Sequence, residues 1–298
     1  MQYSSALSRW HTTSAIRQFR YEDIINDGIQ GHLPFSPSLV PISGHPLVKE
    51  KGVQEKILYR CMTEYMLFTT YLEILLINPS LTFLIFGDHN FNLDDCIYTD
   101  AMKIYCDEGY HALFSLETFT HVDIPYYKGI REIKKPNSIQ RVFNIINNLD
   151  KTRRGVALLS FAMVSETMVT NSLLSAMKDE TVAASVRSII SAHAEDEGKH
   201  QAFFMRVYPL IWHQLPENEK NELGSIFRNF AESFVEPDWD FYSAVLQESS
   251  FDKAEVNLII SDVKSTFNLD LAVNSATPAT RKVLKNCEHE LLKKWERL

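Results

Sequence analysis

His193-Ala194-Glu195-Asp196-Glu197-Gly198-Lys199-His200 is the segment whose reading decides the fold. At 3.6 residues per turn, His193, Glu197 and His200 fall at i, i+4 and i+7 and share one helical face. That face continues as an apolar stripe, with Val182, Val186 and Ile189/Ile190 before it and Phe204 and Val207 after it. A helix buries such a stripe. Ionisable side chains on a buried stripe are costly unless they are paired or metal-bound. Three on one face call for a shared partner.

A second Glu-x-x-His pair, Glu108-Gly109-Tyr110-His111, lies on a stripe of Ile97, Ala101, Ile104 and Ser115. Each pair is preceded by a long segment that carries a glutamate in an apolar setting. Glu166 shares a face with Leu159, Ala162/Met163, Val169/Thr170 and Leu173. Glu73 shares one with Met62, Met66, Thr69/Thr70 and Ile77. The separations are similar, 35 residues from Glu73 to Glu108 and 31 from Glu166 to Glu197. One glutamate from each of two helices, with Glu-x-x-His from each of the other two, is the plan of a di-iron carboxylate bundle. Glu64 lies nine residues before Glu73, on the opposite and equally apolar face. Periodicity alone does not choose between the two.

Charge supports a two-metal reading. Four glutamates neutralise two Fe²⁺ ions, and carboxylate with imidazole suits iron or manganese. Zinc favours a thiolate-richer or lower-coordinate site. His193 adds a third imidazole one turn before Glu197.

Outward from these motifs, helical spacing predicts long helices over about 53–77, 93–120, 152–177 and 180–214, with a shorter one over 138–148. The first should stop at Asn78-Pro79. Four such helices form an all-α bundle. Residues 1–50, with four prolines, read as an irregular arm with a short helix near 21–29. A helix over 216–235 and two or three shorter ones over 239–298 complete the chain, and no linker divides 1–298 into separate domains.

The chain is 45% hydrophobic, with only ten glycines and eleven prolines in 298 residues, so frequent β-turns are not expected. Its formal charge of −8 and the absence of a basic stripe argue against a nucleic-acid partner. Four cysteines without a CxxC pair indicate a reducing compartment. The most apolar stretch, 65–77, is shorter than the roughly 20 residues that span a bilayer. No secretory h-region is visible at the N-terminus. The expectation is a cytoplasmic protein with no membrane partner.

Over about 53–215, Glu73, Glu108-x-x-His111, Glu166 and His193-x-x-x-Glu197-x-x-His200 give the chain its likeness to a known family. It resembles the di-iron amine N-oxygenases typified by the para-aminobenzoate N-oxygenase. That resemblance implies a ferritin-like four-helix bundle with additional N- and C-terminal helices. It favours Glu73 over Glu64 and implies two iron ions held by Glu73, Glu108, His111, Glu166, His193, Glu197 and His200. It further implies O2 as co-substrate and an external reductant or electron-donor protein. A peroxo-diferric species would then oxidise a primary amine to hydroxylamine, nitroso, oxime or nitro products in natural-product biosynthesis. The amine could be aryl, aliphatic or tethered to a carrier protein, and the enzyme a homodimer. In the prototype an arginine upstream of the first glutamate holds the substrate carboxylate. The corresponding inward positions here are Tyr65 and Phe68, and the nearest arginine is Arg60.

Overall fold

The computed structural model describes residues 3–18, 32–121 and 135–297. Among these the helices are, in order, α1 (Trp10–Thr13), α2 (Ala15–Gln18), α3 (Pro46–Glu50), α4 (Gln54–Phe86), α5 (Asp95–His121), α6 (Asn137–Asn147), α7 (Arg154–Met177), α8 (Ala184–Trp212), α9 (Glu217–Gly224), α10 (Phe227–Val235), α11 (Trp239–Glu248), α12 (Lys253–Thr266), α13 (Leu269–Ala276), α14 (Pro278–Cys287) and α15 (His289–Arg297). The architecture is the expected all-α bundle. Helix α4 packs along α5, and α7 along α8; the C-terminal part of α4 meets α7, and α5 meets α8.

Among the described residues, the bundle helices bury the stripes read from the sequence. On α8, Val186, Ile189, Ile190, His193, Glu197, His200, Phe204 and Val207 are all buried. On α5 the same holds for Ile97, Ala101, Ile104, Glu108, His111 and Ser115. The apolar interior forms two clusters. One contains Leu76, Ala157, Phe161, Phe203 and Trp212, and the other Ile57, Met62, Met66, Val186 and Ile190. Along α8, the buried ionisable residues sit between them. Burial of apolar area is the dominant favourable term in folding, so the two clusters can carry the cost of the polar layer they enclose.

Several boundaries differ from the sequence expectation. Helix α4 does not stop at Asn78-Pro79 but runs on to Phe86. The reason is a π-turn over Glu73–Ile77, in which the Asn78 N–H donates to the Glu73 carbonyl, five residues back. Pro79 follows in the first turn of the next α-helical stretch, where a missing N–H costs little. Helix α4 is thereby long and apolar enough to cross a membrane by composition. More than half of its most apolar window is nevertheless buried, as in a core helix. Pro209 lies inside α8 without ending it. The helix expected over 216–235 is broken into α9 and α10, and 239–298 holds five helices rather than two or three. Asp238, Asp252 and Asn268 cap α11, α12 and α13 through their side chains, and Pro278 opens α14.

The N-terminal arm is more ordered than its prolines imply, since α1, α2 and α3 all lie within it. Leu33 donates its N–H to Thr181 O at 2.9 Å and accepts from Ala183 N–H at 3.0 Å, which ties the arm to the α7–α8 connection. The helix expected near 21–29 lies outside the described residues.

Candidate metal centre

Seven buried ionisable side chains converge in the polar layer: Glu73 from α4, Glu108 and His111 from α5, Glu166 from α7, and His193, Glu197 and His200 from α8. None is more than 4% exposed, which separates them from the surface charges of the same helices. Glu195, one position off the α8 stripe, is exposed.

The contacts define how each ring is turned. His111 Nδ1 lies 2.8 Å from Glu108 Oε2 and 3.3 Å from Glu197 Oε1. His200 Nδ1 lies 2.8 Å from Glu108 Oε1, and 3.7 Å from both Glu166 Oε2 and Glu197 Oε1. Both rings thus present Nδ1 to the cluster. His193 instead presents Nε2, 2.9 Å from Glu197 Oε1.

Two compact sets of ligand atoms result, His111 with His193 and Glu197, and Glu108 with Glu166, Glu197 and His200. Within each set the atoms lie within 4.8 Å of one another, and Glu197 belongs to both. Glu73 falls in neither set. Its carboxyl group still interacts electrostatically with Glu108, Glu197, His111 and His200. Glu64 is elsewhere and lines a separate cavity.

Buried polar groups in native proteins almost always have hydrogen-bond partners. Here Glu73 Oε2, Glu108 Oε1, His111 Nε2, Glu166 Oε2, Glu197 Oε2 and His200 Nδ1 are buried without one. The close approach of His200 Nδ1 to Glu108 Oε1 is therefore not an aligned hydrogen bond. Such unmatched oxygen and nitrogen donors fit a pair of cations of the iron or manganese class.

Protonation follows the same geometry. Burial pushes the Glu73 and Glu166 carboxyls well above the usual carboxylate range, and neighbouring carboxylates add to the rise. Burial acts the same way on Glu108 and Glu197, but there the imidazoles prevail: His200 and His111 hold Glu108 low, and His111, His193 and His200 hold Glu197 lower still. Burial would lower His111 and His200, but Glu108 and the other carboxylates raise both well above 6.5. His193 is lowered, first by burial and then by its positive neighbour His111.

The sequence reading missed a second layer. Asp107 Oδ2 accepts from His200 Nε2 at 3.2 Å. Asp196 Oδ2 faces His111 Nε2 at 3.5 Å, longer than a formed hydrogen bond. Each aspartate thus backs a histidine of the opposite helix: Asp107 fixes which His200 nitrogen turns inward, and Asp196 faces the outer nitrogen of His111. Burial works against the Asp196 carboxylate, but His111 and Lys199 hold its pKa at about 2. The signal was present in the sequence, since both motifs read Asp-Glu-Gly-x-His: Asp107 to His111 and Asp196 to His200.

A cavity of about 320 Å³ is lined by Phe35, Glu64, Tyr65, Phe68, Phe241 and Tyr242, among others. The Tyr65 phenol is raised by burial and then by the Glu197 and Glu73 charges, so it borders the cavity and also feels the cluster. Phe68 lines the same cavity and packs against Phe234. Arg60 turns away to Glu248 Oε2, 2.8 Å distant. Arg141 of α6 also borders the cavity, with its Nη2 committed to the carbonyls of Ser233 and Glu236.

No curated protein matches the chain. A family model described as "P-aminobenzoate N-oxygenase AurF" matches residues 2–277, and the chain belongs to that family of di-iron N-oxygenases.

Proposed function

We propose that the chain oxidises the nitrogen of a small primary amine at a di-iron centre held by Glu73, Glu108, His111, Glu166, His193, Glu197 and His200. The observation that carries this reading is the pair of ligand-atom sets that share Glu197, enclosed between two apolar clusters. When bound and reduced by an external donor, the irons supply the redox chemistry that activates O2. The first turnover balances as R–NH2 + O2 + 2 e⁻ + 2 H⁺ → R–NHOH + H2O. Further turnovers take the hydroxylamine to nitroso, oxime or nitro products.

The chain's own residues provide position and a dry environment. His111 and His200 offer Nδ1, oriented through Nε2 by Asp196 and Asp107. The aromatic cavity beside Tyr65 is the place for the amine. Its volume is at the small end of ligand pockets and suits a one-ring arylamine or a short aliphatic amine. Glu64 accepts no hydrogen bond from the described residues. Burial, and then the Asp238 charge, push its carboxyl up to about 7, with Arg60 opposing. A substrate carboxylate would meet Glu64 and Asp238 there, and Arg141 is already engaged. The cavity therefore favours neutral or cationic amines over para-aminobenzoate.

A product analysis tests the proposal. Reduced, iron-loaded enzyme is supplied with O2 and a panel of neutral, cationic and carboxylate-bearing amines, and products are identified by mass spectrometry. Hydroxylamine or nitro products from the uncharged or cationic members are expected. Products oxidised only at carbon would overturn the assignment, and a preference for para-aminobenzoate would overturn the account of the cavity.

A further inference from the structure

The segment over residues 3–18 makes an unusual set of buried hydrogen bonds. Trp10 Nε1 donates to both carboxylate oxygens of Asp107 at 2.8 Å. Ser14 Oγ donates to Asp107 Oδ1. One residue further on, the Ala15 N–H donates to Asp196 Oδ2 at 2.8 Å. Lys199 Nζ closes the set, donating to Asp196 Oδ1 and to Thr13 O, each at 2.8 Å. A single short stretch of chain thus grips both aspartates that back the cluster histidines. Trp10, Ser14 and Ala15 are all buried, and the Arg17 guanidinium lies over the Trp10 ring at 5.2 Å.

Packing alone does not require this. A tryptophan that only filled space would bury its indole N–H against any acceptor, and a backbone turn could satisfy Ser14. Instead the Trp10 indole N–H, the Ser14 hydroxyl and the Ala15 N–H all end on Asp107 or Asp196, and the Thr13 carbonyl on the lysine that braces Asp196. The rest of the segment is fastened separately: Tyr3 Oη donates to Asp100 Oδ2 at 2.9 Å, and Arg206 donates to Ser4 O. Outer-shell carboxylates of this kind set the tautomer, orientation and basicity of a metal-binding histidine. An aspartate with fixed donors holds its imidazole in one direction, whereas one released from them can rotate.

We propose that the N-terminal segment is a positioning strap for the metal centre, in which Trp10 and Ser14 act through Asp107 on His200. This rests on the metal-centre reading. Trp10 and Ser14 touch neither metal nor substrate, so they are positioning residues. Their removal acts on the set that contains His200 (with Glu108, Glu166 and Glu197) more than on the set that contains His111 and His193.

The test is equilibrium titration of the full-length protein with Co²⁺ against a competing chelator, read by the visible cobalt spectrum. The variants are Trp10→Phe, Ser14→Ala, Ser14→Thr and Tyr3→Phe. Melting temperatures of the chelator-treated proteins are measured alongside. Wild type is expected to bind two Co²⁺. Trp10→Phe and Ser14→Ala should each weaken one of the two by about 10–100-fold and shift its spectrum. Ser14→Thr keeps the hydroxyl and should restore it. Tyr3→Phe loosens the far end of the strap and should leave both sites unchanged. Two sites of wild-type affinity and spectrum in Ser14→Ala and Trp10→Phe would overturn the proposal. So would equal weakening of both sites in step with the melting temperature, shared by Tyr3→Phe, because that is the signature of a purely structural strap. Should Trp10→Phe fail to fold, Ser14→Ala with its threonine rescue decides alone. A wild-type protein that binds fewer than two ions would instead overturn the metal-centre reading, and this inference with it.

Discussion

Glu64 and Glu73 lie on one helix in similarly apolar sequence, yet they face different chemistry. Glu73 is 2% exposed and interacts with Glu108 and Glu197, while Glu64 borders the aromatic cavity. Glu73→Gln should therefore weaken metal binding by more than the roughly 10–100-fold typical of outer-shell changes, measured by metal content after dialysis. Glu64→Gln should retain two metals and raise KM for a cationic amine several-fold. Equal metal loss in both variants would contradict the placement. His193→Ala removes one of three side chains in its set, and the metal stoichiometry should fall toward one per chain. Six of the seven residues were legible in the sequence as ionisable groups on otherwise apolar stripes, whereas Glu73 shared that signature with Glu64 and was singled out only by the family resemblance. Asp107 and Asp196 were not, although they are equally buried. Each lies one position to the side of its stripe, where a helical projection expects a partly solvated residue. Only the repetition of Asp-Glu-Gly-x-His marks them.

Among the elements, the π-turn of α4 has the clearest mechanical consequence. It inserts one extra residue between the part of α4 that carries Met62 and Met66 and the part that carries Leu76 and Leu81. Deleting Ile74, which is 46% exposed, would restore regular α-helical register while sparing the fully buried residues of that turn. It would also remove the widened turn that starts at Glu73, while the parts of α4 on either side keep their register with their neighbours. The expected outcome is retained helicity by circular dichroism with loss of stable metal binding. Retained binding would show that the π-turn does not set the direction of Glu73. A second constraint joins α4 to α7, where the Phe83 ring lies against Gly155 so closely that a Cβ there would fall 2.2 Å from it. Gly155→Ala should cost about 1–3 kcal/mol in a denaturant titration, as overpacking does. Long helices were legible because a 3.6-residue period needs many turns to become distinct. The short ones after residue 235 depend on single capping side chains such as Asp252 with Glu255, which periodicity does not register. The strap was illegible for another reason. Trp10 and Ser14 find their partner 97 and 93 residues away, and nothing local announces it.

At the scale of the whole molecule, the polar layer couples metal binding to protons and to folding. Burial and neighbouring carboxylates raise the Glu73 and Glu166 carboxyls, the imidazoles lower Glu108 and Glu197, the carboxylates raise His111 and His200, and burial lowers His193. Four carboxylates and three neutral imidazoles balance two divalent ions. Loading the ions should therefore release protons from the raised carboxyls and imidazoles, since metal ligands must be deprotonated. An indicator dye in weak buffer measures this as Mn²⁺ or anaerobic Fe²⁺ is added, and binding without proton release would refute the assignment. The same shifts fix how stability varies with pH. Raised histidines stabilise the fold fully below 6.5 and lose that contribution as pH rises through their folded pKa values. Raised carboxyls favour the folded acid form, so their contribution also declines as pH climbs above 4.5. Glu108 and Glu197, with lowered pKa values, contribute above 4.5 and lose that contribution as pH falls. Chelator-treated protein should thus melt at lower temperature as pH is raised from about 6.5 to about 8.5. Over the same window bound metal takes the place of the departing protons, so the stabilisation gained on adding Mn²⁺ should grow with pH. Thermal melts across that window, with chelator and with Mn²⁺, decide the point. Diverging curves are the signature of a centre in which protons and metals compete for the same buried atoms, whereas parallel curves would place the metal elsewhere.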